Sequence, residues 1–169
     1  MKKFFYLLLL LPFSMLMSCD DDKDFSPVDM TLTLDGVTYY NNSFYTISGD
    51  DVTIENLSAK ALGDKNTEIA NVTFYFDGIP LIGEPGNPFR GTFSTENIPA
   101  GNYTINVAGN LLQVDSSIKI FSVNYPLTIV ASEDELPAGA PEIGSYSQTV
   151  TITKDKWSNN YNHRGWIGI

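Results

Sequence analysis

Any chemistry done by this 169-residue chain has to be assembled from one cysteine, one histidine, twenty Asp plus Glu and two tryptophans. Cys19 has no second cysteine to pair with, so an intrachain disulfide is impossible, and with one histidine beside it a zinc site has too few ligands. His163 would have to serve any Ser, His and Asp arrangement. It lies near the chain end between Asn162 and Arg164 with no rigid element read around it, and an exposed polar residue is the plainer reading. A pair of carboxylates for glycoside hydrolysis must converge across a cleft, which a small β-rich chain does not obviously offer. Oxygen ligands suited to calcium cluster in sequence as Asp50, Asp51, Asp64, Asn66 and Glu68, but no EF-hand loop is present and solvated turn carboxylates explain them as well. No catalytic residue, metal or cofactor is assigned, and the chain reads as a non-enzyme.

Binding chemistry is better represented. Trp157, Tyr161 and Trp166 lie within ten residues of one another beside Asn159, Asn160, Asn162, His163 and Arg164. Aromatic faces stack on the apolar faces of sugar rings while amides and guanidinium supply donors for hydroxyls, so Trp157, Tyr161, His163, Arg164 and Trp166 are candidate ligand-binding residues. The alternative is that Trp166-Ile167-Gly168-Ile169 forms a last strand whose rings cover the core.

At the other end of the chain, Lys2 and Lys3 precede an apolar run from Phe4 to Leu11 and then Leu16-Met17-Ser18-Cys19. Phe4 to Met17 is shorter than the ~20 residues a spanning helix needs, which favours a cleaved signal over a retained anchor. Leu16, Ser18 and Cys19 resemble the bacterial lipoprotein pattern, in which the cysteine becomes the acylated first residue. That resemblance implies residues 1–18 as a lipoprotein signal peptide and two or three acyl chains on Cys19, enough for stable membrane attachment. Asp20-Asp21-Asp22-Lys23-Asp24 resembles the acidic export signal of Bacteroidota-type surface lipoproteins. It implies an outer-membrane protein facing the cell exterior, residues 19–28 being an acidic tether. An enterobacterial reading implies inner-membrane retention instead, and a plain solvated spacer is the third possibility.

Loss of residues 1–18 removes Lys2 and Lys3 and takes the formal net charge from −10 to −12. Phosphates would be repelled, so nucleic acid is excluded as a partner. The remaining ~150 residues suffice for one core, burying roughly 70% of the unfolded surface.

The elements that would position these groups are strands. Met30, Leu32 and Leu34 alternate with Thr31 and Thr33, and Asp35-Gly36 is expected to turn a hairpin into Val37–Tyr40. Short strands are expected at Phe44–Ile47 and Val52–Leu57, with Asn56–Gly63 open between strand, loop and one helical turn. In Ala70–Phe76, residues Ala70, Val72, Phe74 and Phe76 share one face. Asp77-Gly78 turns the chain into Ile79–Ile82, Glu84–Pro88 is a loop, and Phe89–Ser94 is a strand. Tyr103, Ile105 and Val107 alternate inward. Ile118–Val123 and Leu127–Ala131 are expected as two strands interrupted by Pro126, which marks a bulge or an edge. Glu133–Pro141 is an acidic connection and Tyr146–Thr153 a last strand. This grammar predicts an all-β antiparallel sandwich over residues 29–153, followed by the aromatic segment 154–169.

Val72–Gly83, Pro88–Phe93 and Ile98–Val107 together resemble bacterial immunoglobulin-like domains, with a strand ending in Asp-Gly, a loop with proline and an aromatic, and a Gly-x-Tyr corner. Gly49–Ile54 is similar to the strand that opens their first sheet. The resemblance implies an immunoglobulin-like sandwich with additional N- and C-terminal strands, in which Tyr103 packs its ring and returns its hydroxyl to nearby backbone. Such domains carry no shared catalytic residues and occur in adhesins, carbohydrate-active enzymes and surface scaffolds. The expected partners are the membrane, through the N-terminal lipid, and a glycan or a surface protein. A structural accessory or spacer role in an outer-membrane complex is the second reading, and a small hydrolase the third.

Overall fold

The computed structural model describes residues 26–63, 66–81, 89–113 and 118–153. Nine strands run in chain order as β1 (Val28–Tyr40), β2 (Ser43–Ile47), β3 (Asp51–Ala61), β4 (Thr67–Phe76), β5 (Ile79–Pro80), β6 (Gly91–Ser94), β7 (Gly101–Gln113), β8 (Lys119–Val130) and β9 (Gly144–Ile152). One layer has the order β9-β1-β3-β6 and the other β5-β4-β7-β8-β2. β1 belongs to both. Val28–Asp35 pairs with β3 in the first layer and Thr38–Tyr40 pairs with β2 in the second. All neighbours are antiparallel except β2 and β8, which run parallel from Phe44 opposite Leu127 to Ile47 opposite Val130.

The two inner faces follow from alternation. Val28, Met30, Leu32 and Leu34 of β1 meet Ile105, Val107 and Leu111 of β7 and Phe121, Val123, Tyr125, Leu127 and Ile129 of β8 in one buried cluster. Rings fasten the layers: Phe76 of β4 lies 5.0 Å from Phe93 of β6 and 5.2 Å from Tyr103, centroid to centroid. The buried Tyr125 hydroxyl crosses the core to donate to the Met30 carbonyl at 2.9 Å.

Four local expectations change. Asp35-Gly36 does not close a hairpin, because β3 and β9 flank β1 on both sides and the strand continues through it. Gly36 has φ +79°, and a Cβ there would lie 2.3 Å from the Asp51 carbonyl oxygen. It is a bulge that bends β1 from one layer into the other. The hairpin comes next, at Asn41-Asn42, whose φ values of 46° and 66° make the type I′ turn between β1 and β2.

In β4 the register shifts between Ile69 and Asn71, so Ala70 bulges outward while Phe74 and Phe76 stay buried. β3 extends as strand to Ala61, resolving Asn56–Gly63. Pro126 does not interrupt β8, which is continuous. Its carbonyl accepts from the Ser43 hydroxyl on the β2 side, so its nitrogen faces that side too, one residue before the parallel ladder begins. The stretch of β8 before it is an edge toward β2, which is where proline is tolerated.

Candidate binding surfaces

The topology sorts the molecule into two ends. Val28 lies opposite both Ala61 and Ile152, Thr67 opposite Gln113, and Leu111 opposite Lys119. The described chain therefore enters and leaves at one end, the base. Gln113 grips the entry there: its Nε2 donates to the Ser26 carbonyl at 2.9 Å and its Oε1 accepts from the Ser26 N–H at 3.3 Å. Leu62, Leu112, Ile118 and Ile120 are exposed toward this end. A groove of about 460 Å³ opens beside them, lined by Asn66, Thr67, Glu68, Leu112 and Gln113.

The opposite, far end carries Ser48–Asp50, Asp77-Gly78, Thr95–Ala100 and the connection from β8 to β9. Buried Thr95 pins three of its backbone groups. Its hydroxyl accepts from the Gly49 N–H at 2.9 Å and shares its one proton between the Asp50 carbonyl at 2.7 Å and the Ile47 carbonyl at 3.1 Å. Ser48 donates to the Ile98 carbonyl at 3.0 Å. Tyr103 closes the Pro99–Gly101 corner with a 2.8 Å bond to the Pro99 carbonyl, as its Gly-x-Tyr setting implies. Tyr146 repeats the device at 2.7 Å to the Glu142 carbonyl. The second corner shares the Gly-x-Tyr spacing as Gly144-Ser145-Tyr146, a signal that could have found it.

The outer faces differ in chemistry. On the first layer, outward Ser and Thr pair across strands: Thr31 with Thr149 and Thr33 with Ser147 at 2.8 Å each, Thr53 with Thr92 at 3.1 Å, and Thr151 donating to Asp29 at 2.6 Å. On the second layer the registered row is Tyr75, Asn106 and Asn124. The Asn106 amide donates to Asn124 Oδ1 at 2.7 Å and to the Ser122 hydroxyl at 2.8 Å, and Asn102 accepts from Thr128 at 3.0 Å. These hydroxyl and amide faces were not picked out from sequence, although the strict Thr alternation in β1 and β9 carries the pattern of the first.

The residues proposed from sequence as sites fall elsewhere. Cys19 and Asp20–Asp24 lie outside the described residues, as do Trp157, Tyr161, His163, Arg164 and Trp166. Of the oxygen ligands considered for calcium, Asp64 lies outside the described residues, while Asp50 and Asp51 stand at the far end and Asn66 and Glu68 at the base, separated by the length of β3, so these four do not converge. Among the described residues no three His, Cys, Asp or Glu side chains group as metal ligands. Tyr125 is the described group with a resolved shift, burial holding its hydroxyl above the ordinary range.

No curated protein matches the chain. Residues 41–107, from the β1–β2 turn into β7, match the family model of the bacterial Ig domain. With the two-layer strand order, the tyrosine corner and β2 lying parallel to β8, that match makes the all-β sandwich immunoglobulin-like, the kind of domain that generally serves as a non-catalytic surface or binding module.

Proposed function

We propose that this chain is a lipid-anchored surface lipoprotein of the outer membrane whose sandwich is a non-catalytic binding or adhesion module for glycan or protein. The opposition of its two ends is the observation that carries the reading. Chain entry is gripped by Gln113 at the base, while the loops fixed by Thr95, Tyr103 and Tyr146 gather at the far end. From Cys19 to Ser26 an extended chain reaches at most about 25 Å. An acylated Cys19 would thus hold the base near the bilayer and turn the pinned loops outward, where loops on a rigid scaffold commonly carry recognition.

Capture of partners from intact outer membranes, run beside a glycan array, tests this reading. Binding lost on substituting Asp77 and Glu96 together supports the far-end loops, and binding lost on deleting residues 154–169 supports the aromatic segment. Failure of both assays to detect any partner would contradict a recognition role.

A second reading, an accessory or spacer subunit of an outer-membrane complex, is favoured by the open edge of β9. It predicts a membrane partner whose co-purification survives both of those changes.

A further inference from the structure

The open strand edges among the described residues are not alike. β5 has two residues and ends in Pro80, and β6 has four. The outer edge of β4 is broken by the bulge at Ala70 and carries Glu68. The open stretch of β8 begins with Lys119, turned inward and only 8% exposed, and ends at Pro126. Short length, bulges, inward charges and proline are the devices that stop an edge from adding another strand. β9 has none of them. It pairs with β1 on one side, runs nine residues from Gly144 to Ile152, and contains neither charge nor proline in a chain of net charge −10.

We propose that β9 is a pairing edge for a second copy of this chain, the two β9 strands running antiparallel about a two-fold axis at Gln148. The proposal does not depend on the lipid anchor or on the ligand.

The sequence of β9 is self-complementary in this register. Ser147 faces Thr149 of the second copy, which extends the hydroxyl pairing that β9 already makes with β1, and Ser145 faces Thr151, whose hydroxyls donate to Glu55 and Asp29. On the inner face Tyr146 meets Val150, and Gln148 meets its own copy. Gln148 is 4% exposed; its Nε2 donates to the Asn42 carbonyl at 3.2 Å, while its buried Oε1 has no partner. A buried amide oxygen without a donor is costly, and a turn of the two facing side chains toward the axis lets each amide supply the other's donor. Shifting the register by two would set Gln148 against Tyr146 or Val150.

The test is a charge swap, read by sedimentation of the full-length protein in detergent. Ser147→Lys with Thr149→Lys sets lysine against lysine across the axis. Ser147→Lys with Thr149→Glu sets each lysine against a glutamate. Both lose the same hydroxyl bonds to Thr31 and Thr33, so thermal unfolding of each variant controls for folding. The wild-type protein is expected to dimerise, the double-lysine variant to associate at least about tenfold more weakly, and the Lys/Glu variant to recover. A monomeric wild-type protein, a dimer indifferent to the double lysine, or equal loss in both variants overturns the proposal. Dimerisation that appears only after deletion of residues 154–169 also overturns it, in favour of the chain's own segment on β9.

Discussion

Tyr125 joins the two layers through one hydroxyl, and that bond governs how the fold meets alkali. Tyr125→Phe removes the 2.9 Å bond to Met30 and is expected to cost about 1 kcal/mol near neutral pH. Burial raises the folded hydroxyl above its ordinary value of 10.0. The stability this group gives is therefore fully present below pH ~10 and declines above it, as the unfolded chain ionises while the folded one does not. One pH unit beyond that point removes about 1.4 kcal/mol in the wild-type protein and nothing at this position in the variant. Urea unfolding at pH 8 and pH 11 should show the gap between the two proteins closing; a gap independent of pH would contradict it. Thr95 acts at the same scale. Thr95→Ala leaves the Gly49 N–H without its acceptor while the Asp50 carbonyl keeps the Thr95 N–H at 3.0 Å, and a loss of about 1–2 kcal/mol is expected, with faster amide exchange at Gly49 as the local readout.

At the scale of elements, the bend in β1 carries the architecture, because it places one strand in both layers. Gly36→Ala meets two costs, a positive φ and a collision with the Asp51 carbonyl, whereas Gly49→Ala meets only the first, with nothing within 4 Å of its added Cβ. A loss of about 1 kcal/mol is expected for Gly49→Ala and at least about 2 kcal/mol more for Gly36→Ala, measured by chemical unfolding. Asp35-Gly36 also shows what one sequence can and cannot disclose. An Asp-Gly pair announces a positive φ but not whether a hairpin or a bulge uses it; the approach of β3, contacting from fifteen residues away, decides. Asp77-Gly78, with no such neighbour, forms the expected turn. Alternation exposed the buried faces of β1, β7 and β8 because period-two burial is local. It failed at Ala70, where one extra residue shifts the phase, and at Pro126, where tolerance depends on which side β2 occupies.

At the scale of the whole molecule, chain entry and β9 exit share one end and the pinned loops the other. The hydroxyl and amide faces between them were partly legible as Thr and Asn alternation, but their cross-strand partners depend on a register that no single segment contains. The residues read from sequence as lipidation, export and aromatic binding sites lie outside the described residues, so their test is cellular. Surface labelling of intact cells, with membrane fractionation of the same culture, addresses the anchored, outward-facing module most directly. The full chain should be labelled from outside and sediment with the outer membrane, and Cys19→Ala should leave the membrane fraction with its fold unchanged. A wild-type protein that is shielded from label, or a Cys19→Ala variant that stays membrane-bound, would contradict the account.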